Sequence, residues 1–511
     1  MVMHEGRRSQ GLAVRLRKRA RTAVSVLGLA ASGVVMALTS SCGGGGAALA
    51  PTPGGGSPAP GAIEVTTSER MTPAFDPAIT DYVVSSKTAG PVQVMVTAAS
   101  GNSVSVDGKP FQSQSFTTPV AVSAGQSFPV TVRFPGGTKT FFFRRLPSDF
   151  PTWTLDRAGT PQAEYYLIAP DIGLAAATPS RDYVIFADTN GVPVWWYKTA
   201  SAPIQITLLP NGDVAWLTQA QTGEERSLTG ALKRSFVADP GIGGNIDNHE
   251  LRLLPNGDYL VFADVARGPV DLSAIGGLPF AAIIDTVVEE VTPSGSLVFH
   301  WSAMDHIPFS EVDPAFRAQY VVNAEPADPF HMNSLEDDGT GIVISFRHES
   351  AVYRIDKATG NIVWKLGGVP RAESLAFVGD SFGNFGGQHD ARILTDETLT
   401  VHDNGTQQGR PPRAARYRID TAARTATLIE QVTDATAPSS LCCGSARKLA
   451  GGDWVVSWGL NPEVAELTPT GANVLRFTFG EPYFSYRAEP VAPGVLSRSN
   501  LRAGMDAQFP R

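Results

Sequence analysis

The chain has 511 residues, 42% of them hydrophobic and 18% charged, with 41 Lys/Arg against 49 Asp/Glu. That balance excludes a disordered chain, and the length exceeds one ordinary core, so one large domain with additions is expected. Residues 1–42 hold seven of the basic residues against one acid, which leaves 34 basic and 48 acidic residues, a net −14, in the remainder. No nucleic-acid partner is expected for so acidic a body.

In chain order, Arg7, Arg8, Arg15, Arg17, Lys18, Arg19 and Arg21 make a basic start, and Thr22 to Leu38 is apolar. This pattern is an export signal rather than a transmembrane anchor, because the apolar run is 17 residues and rich in Ala, Gly and Ser. Cys42, followed by four glycines, resembles a bacterial lipoprotein processing site, with Thr39 where Leu is usual. Acylation there would tether the protein to a membrane surface without a spanning helix. The expected location is therefore the periplasm or a lipid anchor on the cell envelope. Residues 43–62 are rich in Gly, Pro, Ala and Ser and form a flexible linker.

From Ile63 the pattern alternates in short stretches such as Val92-Gln-Val-Met-Val-Thr97 and Phe128-Pro-Val-Thr-Val-Arg133, separated by Gly and Pro. Residues 63–147 are expected to form a β-sandwich, and the phrase Phe75-Asp-Pro…Tyr82 is similar to cadherin-like modules of exported bacterial proteins. It carries no evident chemistry. Long helical periodicities are hard to find anywhere, so the class is all-β.

Residues 148–511 contain a degenerate repeat. Ile206-Thr-Leu-Leu-Pro-Asn-Gly-Asp213 returns as Leu251-Arg-Leu-Leu-Pro-Asn-Gly-Asp258, 45 residues on. Glu290-Val-Thr-Pro-Ser-Gly…Trp301 returns as Tyr353-Arg-Ile-Asp-Lys-Ala-Thr-Gly…Trp364. Strand–turn–strand units of this size predict a six-bladed β-propeller. In such a fold the inner strand of every blade lines one channel, so equivalent repeat positions converge. Aligned on their turns, His249, His331 and His389 share one position, eight residues before Gly257, Gly339 and Glu397. Ile204 and Gly444 hold the same position in two other blades. Arg347 ends the strand Gly341–Phe346 and is either a channel residue or half of a surface salt bridge. As strand neighbours, Arg347 and His348 would point to opposite faces, leaving one of them inward. His306 and His402 are read as ordinary polar residues.

Two chemistries suit this set. Three imidazoles can hold a catalytic metal, which would make a propeller hydrolase, although an inward arginine would repel the cation. Alternatively, a neutral imidazole is a nucleophile, an arginine holds an oxyanion, and further histidines move protons to a departing oxygen. A sulfate monoester carries a single negative charge and needs no metal to screen it. A propeller that binds its ligand without turnover is a third possibility. Adjacent Cys442 and Cys443, beside Gly444, are placed near the channel, as a loop-stiffening pair or a redox couple.

The residues Asn248-His249-Glu250, His331-Met-Asn333-Ser334, Ser345-Phe-Arg347-His348, Gln388-His389-Asp-Ala-Arg392 and Asp403-Asn404-Gly405 resemble in combination the bacterial arylsulfotransferases. The resemblance covers about residues 150–490. It implies a six-bladed propeller that moves a sulfuryl group from a phenolic sulfate ester to a phenolic acceptor through a sulfated histidine, with no cofactor, nucleotide or metal. It also implies that His389 is the nucleophile, that His249 and His331 serve proton transfer and sulfuryl binding, that Arg347 binds sulfate, and that Asn333 is a channel-lining amide. Tyr486, Phe330 and Trp458 are candidates for holding the aryl ring.

Overall fold

The computed structural model describes residues 62–85, 90–171 and 181–511. Cys42 and the rest of the expected export signal lie outside the described residues.

The strands between Ile63 and Arg145 form two sheets. One pairs Ile63–Thr67, Val92–Ala98 and Ser115–Val120; the other runs Met71–Thr72, Asp81–Val84, Gly137–Arg145, Ser127–Phe134, Ser103–Val106. Side chains alternate between faces along a strand, and Val92–Ala98 shows it directly, with Val92, Val94 and Val96 buried and Met95 and Thr97 exposed. Val65, Phe128, Phe141 and Phe143 complete the shared core.

The rest of the chain is almost entirely strand. Six further sheets, each with at least four strands, are present among the described residues. Their inner strands are β1 (Pro203–Leu208), β2 (Asn245–Leu253), β3 (Met332–Asp337), β4 (His389–Ile393), β5 (Ser445–Lys448) and β6 (Phe484–Val491). Each inner strand lies against its two neighbours, and β6 lies against β1, so the sheets form a closed ring: a β-propeller. The repeated Leu-Pro-Asn-Gly-Asp phrases are the turns that leave β1 and β2. In both, the leucine N–H donates to the aspartate carbonyl, and Gly212 and Gly257 sit at φ 84° and 91°, which only glycine adopts readily.

Both ends of the ring are interlocked. The sheet of Tyr165–Asp171, Tyr183–Asp188 and Pro193–Lys198 receives its inner strand, β6, from the far end of the chain. In return, the early strand Trp153–Arg157 pairs on the outside of the sheet begun by β5. A simple unit-by-unit reading of the repeat does not reveal this exchange.

After β6, the helix α1 (Arg498–Gln508) begins at Ser497, whose hydroxyl accepts from the Asn500 N–H. It buries Leu501 and Met505 against the first sheet, in the cluster that holds Trp195 and Trp196. Its other side reaches the sandwich. Asp81 accepts from Arg498 at 2.9 Å and from Arg502 at 2.6 Å, and Arg144 donates to Asp506 at 2.6 Å. Asp81 is 6% exposed. Burial raises its carboxyl pKa, but the two arginines outweigh burial and leave it below the ordinary carboxylate range. Replacing Asp81 by Ala should cost about 2–3 kcal/mol, the range for a charged hydrogen-bonded partner. A lower urea midpoint, with earlier proteolytic cutting between residues 146 and 152, would show it; an unchanged midpoint would contradict it.

Candidate active site

The three repeat-position histidines arrive on β2, just before β3, and on β4. Each of these strands breaks its pairing register at the histidine or just after it: between Ile246 and Leu251 around His249, between Met332 and Ser334 after His331, and between His389 and Arg392. β1 does the same around Ile204. A bulge re-aims a side chain, and here it recurs at or just after the aligned position. His331 and Asp390 accordingly sit at φ 54° and 55°, in the left-handed region.

The rings cluster. His249 and His331 have centroids 4.9 Å apart in an edge contact, and His331 stacks on His348 at 4.6 Å. Tyr486, on β6, stands between His249 at 5.8 Å and His389 at 6.2 Å. Its hydroxyl is buried without a hydrogen-bond partner among the described residues, and burial pushes its pKa up. Of the aromatic candidates only Tyr486 is in the site. Phe330 stacks on Phe309 in the core, and Trp458 is buried beside His402.

Each histidine has a defined backing. Nδ1 of His249 is 2.8 Å from both carboxylate oxygens of Asp247, and Nδ1 of His331 is 2.6 Å from Asp328 Oδ2. Burial raises both carboxyl pKa values, but the neighbouring histidines outweigh it, and both aspartates are held below the ordinary range. Both carboxylates lie close to their histidines in the chain, as Asp247-Asn-His249 and Asp328-Pro-Phe-His331. His389 is 1% exposed. Its Nδ1 faces two oxygens, Gly387 O at 3.0 Å and Asn404 Oδ1 at 2.8 Å, so Nδ1 carries the proton and Nε2 the lone pair. Nε2 accepts from the Cys443 backbone N–H at 3.1 Å. Burial first, and the Arg347 charge second, hold the His389 pKa well below the usual histidine value, so the ring is neutral near pH 7.

Arg347 and His348 do not alternate across a strand. The chain leaves the strand Gly341–Phe346 into a short 3-10 turn, Arg347–Glu349, ended by Ser350 at φ 51°. Both side chains therefore turn the same way. Arg347 Nη1 donates to His348 Nε2 at 2.8 Å, and His348 Nδ1–H donates to Asp328 O at 2.7 Å, which fixes a neutral imidazole; its burial drives the pKa well below the ordinary value. Arg347 is 5% exposed, and its guanidinium lies over Phe316 and Tyr320 at 5.0 and 5.2 Å. Among the described residues no carboxylate is within ion-pair distance of it, so the surface salt bridge is not formed. His402 is likewise not an ordinary polar residue. It is fully buried opposite His389, and burial lowers its pKa to about 4. Asn333 is fully buried; its amide donates to Gln388 O at 2.7 Å, and its Oδ1 has no partner among the described residues.

Asp328, His331 and His348 offer ligand atoms within 4.8 Å of one another. This is not the set of three repeat-position histidines. A cation there would sit beside the Arg347 guanidinium, and both histidines already spend Nδ1 on Asp328.

Directly below the histidines lies a buried ionic layer. Glu250 accepts from Arg392 Nη2 at 2.6 Å, Arg487 Nη1 at 3.1 Å and Gln205 Nε2 at 3.1 Å. Asp390 accepts from Arg392 Nη2 at 2.9 Å, Arg447 Nη2 at 2.8 Å and the Ala446 N–H at 3.0 Å. Arg487 donates to Asn333 O at 2.6 Å. All six inner strands contribute. Burial raises the Glu250 pKa, but Arg392 and Arg487 outweigh it and keep the carboxylate charged.

The fold and site thus define a propeller whose centre holds a cluster of histidines and an arginine above a charged floor. Residues 229–480, which include His249, His331, Asn333, Arg347 and His389, match the family described as Arylsulfotransferase (ASST). At the level of the family, the match supports aryl sulfotransferase activity on small aryl substrates. No curated protein matches the chain. Among solved structures, a protein of unknown function from Bacteroides caccae is 11% identical, with 64% of this chain and 99% of that chain covered and a TM-score of 0.39. The Cps50 (Swd1) β-propeller domain of Myceliophteria thermophila is also 11% identical, over 65% of this chain and 90% of that chain, with a TM-score of 0.35.

Replacing Glu250 by Gln leaves Arg392 and Arg487 without their shared counter-charge. The expected loss is about 3–5 kcal/mol, the range for breaking a buried ion pair. Urea unfolding of the variant measures it, and a loss under about 1 kcal/mol would show that the layer is not holding the ring together.

Proposed function

We propose that the protein is a nucleotide-independent aryl sulfate sulfotransferase that works through a sulfohistidine at His389. The observation that carries this reading is the pairing of a neutral, buried His389, its lone pair on Nε2, with a buried Arg347 that has no carboxylate partner among the described residues. A buried guanidinium without an acidic partner is a site for an anion, and a neutral imidazole beside it is a nucleophile.

In this scheme Arg347 and the Asn333 region hold the oxygens of an aryl sulfate monoester. His389 Nε2 attacks sulfur, the S–O bond to the aryl oxygen breaks, and the departing oxygen takes a proton from His249 or His331. Asp247 and Asp328 support that role, since a carboxylate on Nδ1 stabilises the protonated ring and directs Nε2 away from it. An acceptor phenol then returns its proton to the same imidazole as its oxygen attacks sulfur, and the N–S bond breaks to free His389. Tyr486, between two of the histidines, is placed to flank the aryl ring. The basic start of the chain and Cys42 support a reading as an exported protein, periplasmic or lipid-anchored, with residues 63–147 as a spacer or docking module.

The test is nitrophenol release from 4-nitrophenyl sulfate with and without phenol. Release should rise with phenol and vanish in His389→Ala, and denatured protein quenched during turnover should carry one sulfuryl group. Asp247→Asn and Asp328→Asn should each slow turnover about 10²-fold, the scale of a misplaced proton-transfer group. Turnover that survives His389→Ala would overturn the assignment. The pH dependence has a definite sign. A lowered pKa keeps His389 unprotonated as the pH falls past the ordinary value of about 6.5. Single-turnover sulfuryl loading should therefore stay fast down to pH 6, and an acid limb at or above about 6.5 would contradict a depressed His389.

A further inference from the structure

Among the described residues, Arg347 is held by neutral groups. Its Nη1 donates to His348 Nε2 at 2.8 Å and its Nη2 to the Leu441 carbonyl at 2.9 Å, while its Nε–H is buried with no partner. The Leu441 carbonyl belongs to the loop before β5, in which Cys442 and Cys443 are joined by a disulfide and the Cys443 carbonyl accepts from Asn404 Nδ2 at 2.9 Å. His348 is itself locked. Its Nδ1–H donates to the Asp328 carbonyl at 2.7 Å, so Nε2 is left as the acceptor. Its ring is fully buried, stacked on Tyr320 at 3.8 Å and on His331 at 4.6 Å, with Phe316 at 5.5 Å. The turn that carries both residues is fastened on two sides: the Arg347 N–H donates to His331 O at 3.0 Å, and His348 O accepts from the Asp313 N–H at 2.9 Å. Asp328 serves the two histidines through different atoms. Its Oδ2 lies 2.6 Å from Nδ1 of His331 but 3.7 Å from Nδ1 of His348. The carboxylate charge therefore goes to the proton-transfer histidine, and a neutral carbonyl holds His348.

We propose that His348 is a positioning residue of the sulfuryl-transfer site: its Nε2 lone pair fixes the Arg347 guanidinium without neutralising it, so that the charge and the free Nε–H are left for the oxygens of the sulfate ester. The proposal rests on the function proposed above. A carboxylate in this place would hold the guanidinium more strongly, through a charge-assisted pair. It would also compete with the anionic substrate for the same charge. An aliphatic side chain would leave the charge but lose the aim. A neutral imidazole supplies aim without competition. The reaction needs both, because a donor stabilises charge developing on the sulfuryl oxygens only when it is already in place and not satisfied by another anion. No bond forms or breaks at His348, and its whole effect passes through Arg347.

The experiment compares His348→Gln, His348→Leu and His348→Glu in the full chain. Gln offers a neutral acceptor in place of Nε2, Leu removes the acceptor, and Glu makes it charged. Binding is read by calorimetry with benzenesulfonate, an aryl anion whose S–C bond is not a sulfate ester bond, and turnover with 4-nitrophenyl sulfate and phenol. The Gln variant should stay close to the wild type in both. The Leu and Glu variants should bind benzenesulfonate about tenfold more weakly or worse, the scale of a lost hydrogen bond to a charged group. Their kcat/KM should fall about 10²-fold, the scale of one lost oxyanion donor. The double variant Arg347→Gln/His348→Leu should bind no worse than Arg347→Gln alone, since groups that act through one contact do not add. A Glu variant that behaves like the Gln variant overturns the proposal. So does a Gln variant as weak as the Leu variant, and so do additive losses in the double variant. If the Leu variant does not fold, the difference between Gln and Glu decides alone. The two readouts also separate this proposal from the reading beneath it. Binding that follows the expected pattern in a protein without turnover supports the positioning role and sinks the sulfotransferase reading. Turnover and binding that ignore His348 sink the positioning role and leave that reading standing, and a wild type that does neither sinks both.

Discussion

The ionic layer of Glu250, Asp390, Arg392, Arg447 and Arg487 is the constraint on which the rest of the molecule depends. A ring of sheets leaves a hole at its centre, and the inner strands must cover it without stranding polar backbone. Here the hole is filled by charges in which each carboxylate meets at least two arginines. Such a filling is no guarantee of stability, since desolvation offsets much of the attraction. What it does provide is direction. The arginine forks accept only one arrangement of strands, and they use backbone carbonyls at Asn333 and Leu335 as well as carboxylates. His249 and His389 sit next to Glu250 and Asp390 in the chain, so the layer that closes the channel also sets the height at which these two imidazoles stand.

The bulges add aim to height. At a regular strand position, neighbouring residues would face opposite sides, and a histidine next to a floor carboxylate would turn away from the channel. The register breaks at His249 and His389 allow both the floor carboxylate and the ring beside it to serve the same channel. Left-handed backbone at His331 and Asp390 is the local cost of that arrangement, of order 1 kcal/mol each.

Much of this was legible in the chain. The turn phrases at Pro210 and Pro255 recur with their local hydrogen bonds, and counting back from such turns put three histidines in one register. Local pairings such as Asp247 with His249 could be found the same way. Arg347 and His348 were harder. The rule of alternating faces holds only while the chain stays in a strand, and here it has already turned. Tyr486, Asn404 and the carbonyls of Leu441 and Cys443 were not legible as a set, because their contacts run between sheets. No spacing within one sheet encodes which neighbour will lie across the channel. The interlocked ends were hidden for the same reason, since pairing Trp153–Arg157 with residues near 477 has no local signal.

That interlock has a consequence for how the protein is made. The first sheet is synthesised early, but its innermost strand is β6, some three hundred residues later. Until β6 arrives, Tyr486 is missing from between the histidines, and Glu250 lacks Arg487. A nascent chain therefore holds a gapped arc of sheets with an open floor, in which the histidines have no fixed height and the channel has no closed wall. The site is therefore complete only once the last strand is threaded into the first sheet.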